Sequence, residues 1–268
     1  INDMDHYTVG GNVTLAANDV RSMPATSLLP PAKGLVDITE TGFSLLAGQA
    51  LLLGGDLRLA GGMPAVSRGP DRPGASPPPT LLVRAQGVVS AEGLRQAGEL
   101  GALSRLAEHA SGTAAYSAVL GLRSGVPELQ LSSSLQGMAL SLPAPLAKSA
   151  EAALPVRFES ALLPGTLEAG QTLQDQLSLS IGRIAAVNYV RDVSGLEPRV
   201  IRGGIGVGLE AGESVPAPDN GVGANINLAR VDLDAWEKML DDATGGGISK
   251  SGAATPSAAS SGASAAAM

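Results

Sequence analysis

Residues 129–158 read LQLSSSLQGMALSLPAPLAKSAEAALPVRF, and their apolar positions change parity partway through. Leu129, Leu131 and Leu135 are odd, Met138, Leu140 and Leu142 are even, and Gly137 stands between the two sets. A strand keeps one face per parity, so a glycine at the change predicts a bulge that re-aims the chain and keeps both sets on one face. Pro143 and Pro145 then predict the end of pairing at a sheet margin.

The same short aliphatic alternation recurs on both sides of this stretch. Strands are expected within 7–17, in bursts separated by glycine pairs over 34–61, at 80–89, over 113–136 with a turn at Ser124-Gly125, and near 155–164, 173–191, 199–210 and 223–233. The segment PAPDNG, 216–221, predicts a hairpin turn between the last two. Only two stretches change period. Residues 90–111 carry Leu94, Ala97, Leu100, Leu103 and Leu106 behind a Ser90 N-cap, predicting two short helices broken around Gly98–Gly101. Residues 234–242 predict another short helix, with Asp234 and Glu237 fitting a capping box. RGPDRPGASPPP, 68–79, reads as an exposed loop, and 245–268 is a Gly/Ser/Ala linker by composition. The fold class is therefore mainly β over 1–244: an extended, curled, antiparallel sheet with a few short helices.

Composition narrows the function. Of 268 residues, 44% are hydrophobic but only 2% aromatic, so the apolar surface is nearly all aliphatic, unlike a sandwich core built on large rings. A net charge of −7 with no basic run argues against nucleic acid. The absence of cysteine removes disulfides, thiolate metal sites and Cys nucleophiles. No apolar run is long enough to span a bilayer, so any membrane anchor is expected outside this chain, which opens on Ile1 and reads as an interior segment.

No catalytic constellation emerges. His6 and His109 sit in no metal-binding spacing, and no GxSxG elbow exists. GGGISKSG, 245–252, lacks the glycines of a phosphate loop at Thr244 and Ser249, and RGGIGVG, 202–208, is followed by no helix. Asp232 and Asp234 suit helix capping, while Asp219, Asn220 and Asn225 suit a turn better than a calcium loop. The chain is expected to be no enzyme and to need neither metal nor cofactor.

In order, SLQGMALSLPAPLAKSA, LPVRF, RGGIGVGL and VDLDAW resemble the repeating region of the YhdP family of AsmA-like proteins, and GLVDITETGFSLLAGQALLLGGDLRL resembles the stretch preceding it. The resemblance covers most of residues 1–240. It implies an interior segment of a long periplasmic protein, held in the inner membrane by a helix outside this chain, whose curled sheet conducts phospholipid through a hydrophobic groove toward the outer membrane. The expected partners are phospholipid acyl chains, with inner- and outer-membrane proteins at the two ends. Leu129, Leu131, Leu135, Leu140, Leu142, Ile205, Val207, Leu209, Ile226 and Leu228 are the expected groove lining. The alternative is a closed β-sandwich serving as a structural or interaction module of an envelope scaffold.

One expectation rests on composition alone. Residues 245–268 hold too little apolar surface to offset the entropy of ordering them. Truncation after residue 244 should leave the thermal midpoint unchanged, and a drop of several degrees would show that the segment packs.

Overall fold

Strands pair almost entirely with their neighbours in sequence, as expected when short aliphatic runs alternate with tight turns. The computed structural model describes residues 10–20, 29–39, 42–63, 80–123, 125–166, 171–195, 197–210, 213–228, 232 and 234–237. Thirteen strands form one open, curled sheet. They are β1 (Gly10–Val20), β2 (Leu29–Thr39), β3 (Gly42–Leu52), β4 (Gly55–Gly62), β5 (Leu81–Ser90), β6 (Ala110–Arg123), β7 (Val126–Ser133), β8 (Met138–Leu140), β9 (Val156–Leu162), β10 (Gln174–Ile181), β11 (Ala185–Asp192), β12 (Arg199–Val207) and β13 (Gly221–Ile226). Twelve lie side by side in chain order, and β8 pairs separately with β6. No described strand belongs to a second, facing sheet.

The quoted stretch lies along one edge of β6. Here β7 pairs Ser133 with Tyr116, whereas β8 pairs Met138 with Gly112, so the step from Ser133 to Met138 is one residue longer than the step opposite it. That extra residue resets the register. Leu135 and Gly137 take positive φ values of 48° and 95°. The Thr113 N–H donates to the Gly137 carbonyl at 3.1 Å, and a Cβ on Gly137 would fall on the Thr113 carbonyl, so glycine is required there. Lys148 clamps the turn, its ammonium donating to the carbonyls of Leu135 (2.8 Å) and Met138. Pairing ends at Leu140, which exchanges backbone hydrogen bonds with Lys148 at 2.9 and 3.0 Å, and Pro143 and Pro145 lie beyond it.

Between β5 and β6 the chain forms α1 (Ala91–Gln96), a 3-10 turn (Gly98–Leu100), α2 (Ala102–Leu106) and a second 3-10 turn (Ala107–His109). Ser90 caps α1, its hydroxyl accepting from the Gly93 N–H at 2.9 Å. The break falls at Gly98–Gly101, where Gly101 has φ 57°. This helical segment covers one end of the sheet. Val89, Ala91, Ala110, Ala114 and Met138 form a buried cluster there, and Leu53, Leu94, Tyr116, Leu135 and Leu140 pack against it.

Three expectations need correction. The 173–191 run is two strands, β10 and β11, because Gly182 (φ 53°) turns the chain between them. PAPDNG is not a hairpin: β12 and β13 are parallel, and the connection crosses back over the sheet. Gly204 and Gly206 make this possible, since side chains there would collide with Val215, Pro216 and Leu209. The helical turn at 234–237 takes its cap from Asp232, whose carboxylate accepts from the Ala235 N–H at 3.0 Å, rather than from Asp234. The rest of 234–242 and all of 245–268 lie outside the described residues, as does the whole loop at 68–79.

The seating of α1 yields a test. A Cβ on Gly93 would fall on the Leu53 carbonyl in the β3–β4 turn, whereas nothing lies within 4 Å of one on Gly98. Gly93→Ala should lower stability by about 2 kcal/mol, and Gly98→Ala should be neutral or slightly stabilising. Equal thermal midpoints for the two variants would show that α1 is not seated on that turn.

Candidate functional site

Cross-strand partners point to the same side of a sheet, so the register assigns every paired residue to a face. One row can be followed from strand to strand: Gly34, Gly48, Leu59, Ala85, Ala118, Leu131, Phe158, Leu179, Val187, Ile205 and Ala224. It crosses the eleven strands β2–β7 and β9–β13 without a polar side chain. At the usual interstrand spacing it is ~50 Å long. Parallel rows run beside it, mainly aliphatic but with a serine and a tyrosine in each, one through Val83, Leu120, Leu129, Ser160, Leu177 and Tyr189, another through Tyr116, Ser133, Val156, Ile181, Ala185, Val207 and Ile226.

The opposite parity is polar. Lys33, Asp37, Asp56, Arg58, Arg84, Arg123, Glu128, Arg157, Glu159, Asp192, Arg199 and Arg202 all fall on it. Ser117 and Ser132 share a hydrogen bond there at 2.8 Å, and Gln130 donates to Glu159 at 3.0 Å. A surface depression of about 570 Å³ also lies on this side, where Ser117, Ser132, Ser178 and Ser180 are short beside Gln130 and Arg157. Val119 and Ala186 are the aliphatic side chains of this parity among its lining, in the midst of polar groups.

Of the expected lining residues, Leu129, Leu131, Leu140, Ile205, Val207 and Ile226 share the apolar face. Leu129 and Leu131 oppose Leu120 and Ala118, and Leu140 opposes Ala110, all on one parity of β6. The remaining four sit elsewhere. Leu135 is in the turn and packs on the helix-side cluster. Leu142 follows the end of β8 and Leu228 the end of β13, with a Leu228 methyl 3.1 Å from where a Cβ on Gly208 would sit. Leu209 is a correction: Gly208 turns the chain at φ 65°, and Leu209 folds back over Gly206, on the polar parity. Alternation stops applying once pairing ends.

The apolar face is only partly covered. No large side chain among the described residues is completely buried, as a closed core would require. Leu120 is 42% exposed in mid-sheet, and Ile226 is 62% exposed at the edge. Sequence reasoning missed one feature of this face, a polar cluster. Asp175 is 4% exposed, and its carboxylate accepts from Arg191 Nε at 3.0 Å, from Arg191 Nη2 and from the Ser160 hydroxyl at 2.8 Å. The signal was present in the alternation itself, because Asp175 and Arg191 share parity with Leu177, Leu179 and Val187.

Tyr116 is a second misfit. Its ring lies across Gly87, 3.1 Å from where a Cβ would stand, and its buried hydroxyl has no partner among the described residues. Burial raises its pKa. Among the described residues no group of three or more His, Asp or Glu could hold a metal ion, and no helix is long and apolar enough to cross a membrane.

An open β-sheet that is aliphatic on one side and charged on the other, with no assembled catalytic groups among its described residues, is the class of protein that this geometry defines. The family model for YhdP protein matches residues 1–266, and the chain belongs to that family of AsmA-like lipid-transport proteins. No curated protein and no solved structure matches it significantly.

The tyrosine supplies the test for this face. Removing an unpartnered buried hydroxyl relieves its desolvation, so Tyr116→Phe should stabilise the fold by about 1 kcal/mol. The folded-state pKa is raised, so wild-type stability should fall as pH climbs above the ordinary tyrosine range, where only the unfolded chain ionises. The Phe variant should lose that part of the alkaline decline. Destabilisation by Phe would mean that the hydroxyl has a partner.

Proposed function

We propose that this chain is a non-enzymatic segment of a lipid conduit, along whose apolar face the acyl chains of phospholipid pass between the inner and outer membranes. The observation that carries this reading is the apolar row running across eleven strands, from β2 to β13, on a face with no completely buried large side chain among the described residues. Two acyl chains of about 15 methylenes each would cost ~24 kcal/mol to carry through water. A conduit must remove that cost everywhere along the path while binding strongly nowhere. Aliphatic rows of Leu, Val, Ile and Ala do this, because they offer dispersion contact to chains of any shape and no fixed polar partner. Membership of a lipid-transport family supports the same reading. In this reading the chain works in the periplasm, attached to the inner membrane by a helix outside it, and meets membrane proteins at both ends.

The scaffold alternative predicts a closed sandwich. A single open sheet with aliphatic residues exposed in its middle weighs against it.

Photo-crosslinking groups at Leu131 and Leu179 should capture phospholipid in cells, while groups at Gln130 and Ser178, on the other parity, should capture little. Equal yields on both parities would overturn the assignment of the lipid path to this face. Val207→Asp supplies a functional counterpart. Val207 is half-buried between Ala185 and Ile226, so a carboxylate there can stay partly hydrated and the protein should accumulate normally. It interrupts the apolar row, however, and a barrier of about 2.7 kcal/mol slows passage roughly a hundredfold. Val207→Asp should therefore impair outer-membrane lipid supply at normal abundance, and Val207→Ala should not. Untouched supply in the Asp variant would exclude Val207 from the path.

A further inference from the structure

Among the described side chains at paired strand positions, Asp175 and Arg191 are the only charges on the apolar face. Twelve others lie on the polar face. Charge on a surface that is otherwise aliphatic carries a desolvation cost that a Leu or Val would avoid, so its placement calls for a reason beyond folding. The pair sits in the row nearest one margin of the sheet, beside Leu162 on β9 and Val200 on β12. A register shift on β12 between the partners of Val190 and Arg191 brings Val200, rather than Ile201, opposite the arginine.

The donor inventory is incomplete. A guanidinium carries five N–H groups. Nε and Nη2 of Arg191 are used on Asp175 and Ser160, the latter at 3.2 Å, whereas Nη1 has no partner among the described residues. The Arg191 side chain is 21% exposed and the Asp175 side chain 5%, so the open donors belong to the accessible member of the pair.

We propose that Arg191, held in place by Asp175 and Ser160, is a weak station for the phosphodiester headgroup of a lipid whose acyl chains lie along the apolar rows. The proposal rests on the lipid reading above and adds where the headgroup goes. Chains lying along the inner rows can turn their headgroup sideways to the margin that runs beside those rows, and Arg191 is in the row at that margin. The two N–H groups left on Nη1 diverge from one nitrogen, so each can donate to a phosphate oxygen while Nε and Nη2 stay on Asp175 and Ser160. Asp175 has two effects here. It fixes the guanidinium, and its negative charge weakens the pull on an anion, so that a bound headgroup can leave again. A free phosphate has no acyl chains and gains nothing from the aliphatic rows beside Arg191, whereas a diester carrying chains gains contact with them.

The test compares binding of phosphatidylglycerol and of diacylglycerol with identical acyl chains, taken up by the intact protein from phosphatidylcholine vesicles and quantified by native mass spectrometry. Wild type should prefer phosphatidylglycerol by about tenfold, which is ~1.4 kcal/mol. The double variant Asp175→Leu, Arg191→Met replaces the pair by apolar side chains of similar size, and it should keep the wild-type thermal midpoint and its diacylglycerol binding while losing the preference. Arg191→Lys, which keeps the charge but loses the two-point hold on Asp175 and with it the placed Nη1 donors, should fold and lose most of the preference. Inorganic phosphate in excess should not displace the lipid. A preference retained in the double variant, or absent from wild type, overturns the station while leaving the lipid reading intact. Displacement by inorganic phosphate overturns it in favour of a free-anion site. Failure of wild type to take up either lipid overturns the lipid reading and the station together.

Discussion

Antiparallel pairing transmits side-chain direction. A residue and its partner on the next strand point to the same side, so a face established on one strand is imposed on the next for as long as register holds. Here register is carried from β2 to β13, and each irregularity along that path preserves it. The shifts in the β2–β3 and β3–β4 pairings change parity and keep Val36, Leu45, Leu59 and their neighbours on the apolar side. The reset between β7 and β8 does the same for Leu129, Leu131 and Leu140. A one-residue slip without such compensation would carry a whole strand's aliphatic set to the charged face.

This constraint explains where the rest of the chain is placed. The connections 91–109 and 134–155 lie at the helix-side end, where they pack on the buried cluster that anchors the sheet. The crossover from β12 to β13 runs over the polar parity instead, where Gly204 and Gly206 make room for Val215 and Pro216, and so it leaves Ile205 and Val207 uncovered. Glycine in these strands serves close backbone approach on one face while the other face keeps its aliphatic row.

Polar groups on the apolar side follow two rules. Asp175, Arg191 and Ser160 satisfy one another, which is the condition for burying charge at tolerable cost. Tyr116 leaves its hydroxyl unpaired but contributes a ring that fills the space above Gly87 next to the buried cluster. The first is polarity arranged and compensated, and the second is polarity carried along by a ring needed for packing.

What the sequence determined by itself was whatever depends on local periodicity. The alternation at 129–142 with glycine at its break predicted the register reset, Ser90 ahead of an apolar 3.6-residue period predicted the capped α1, and scarce aromatics beside abundant aliphatics argued against a ring-filled closed core. Local pattern could not decide whether two neighbouring strands are parallel or antiparallel, because both directions share the period of two, and PAPDNG therefore read as a hairpin. Nor could it place residues beyond a strand end: Leu209 continues the alternation of Ile205 and Val207, yet Gly208 turns it onto the other face. The meeting of Asp175, Ser160 and Arg191 came only with tertiary structure. Each sits alone in its own strand, and their hydrogen bonds exist because pairing of β9, β10 and β11 brings into contact groups that sequence keeps up to 31 residues apart.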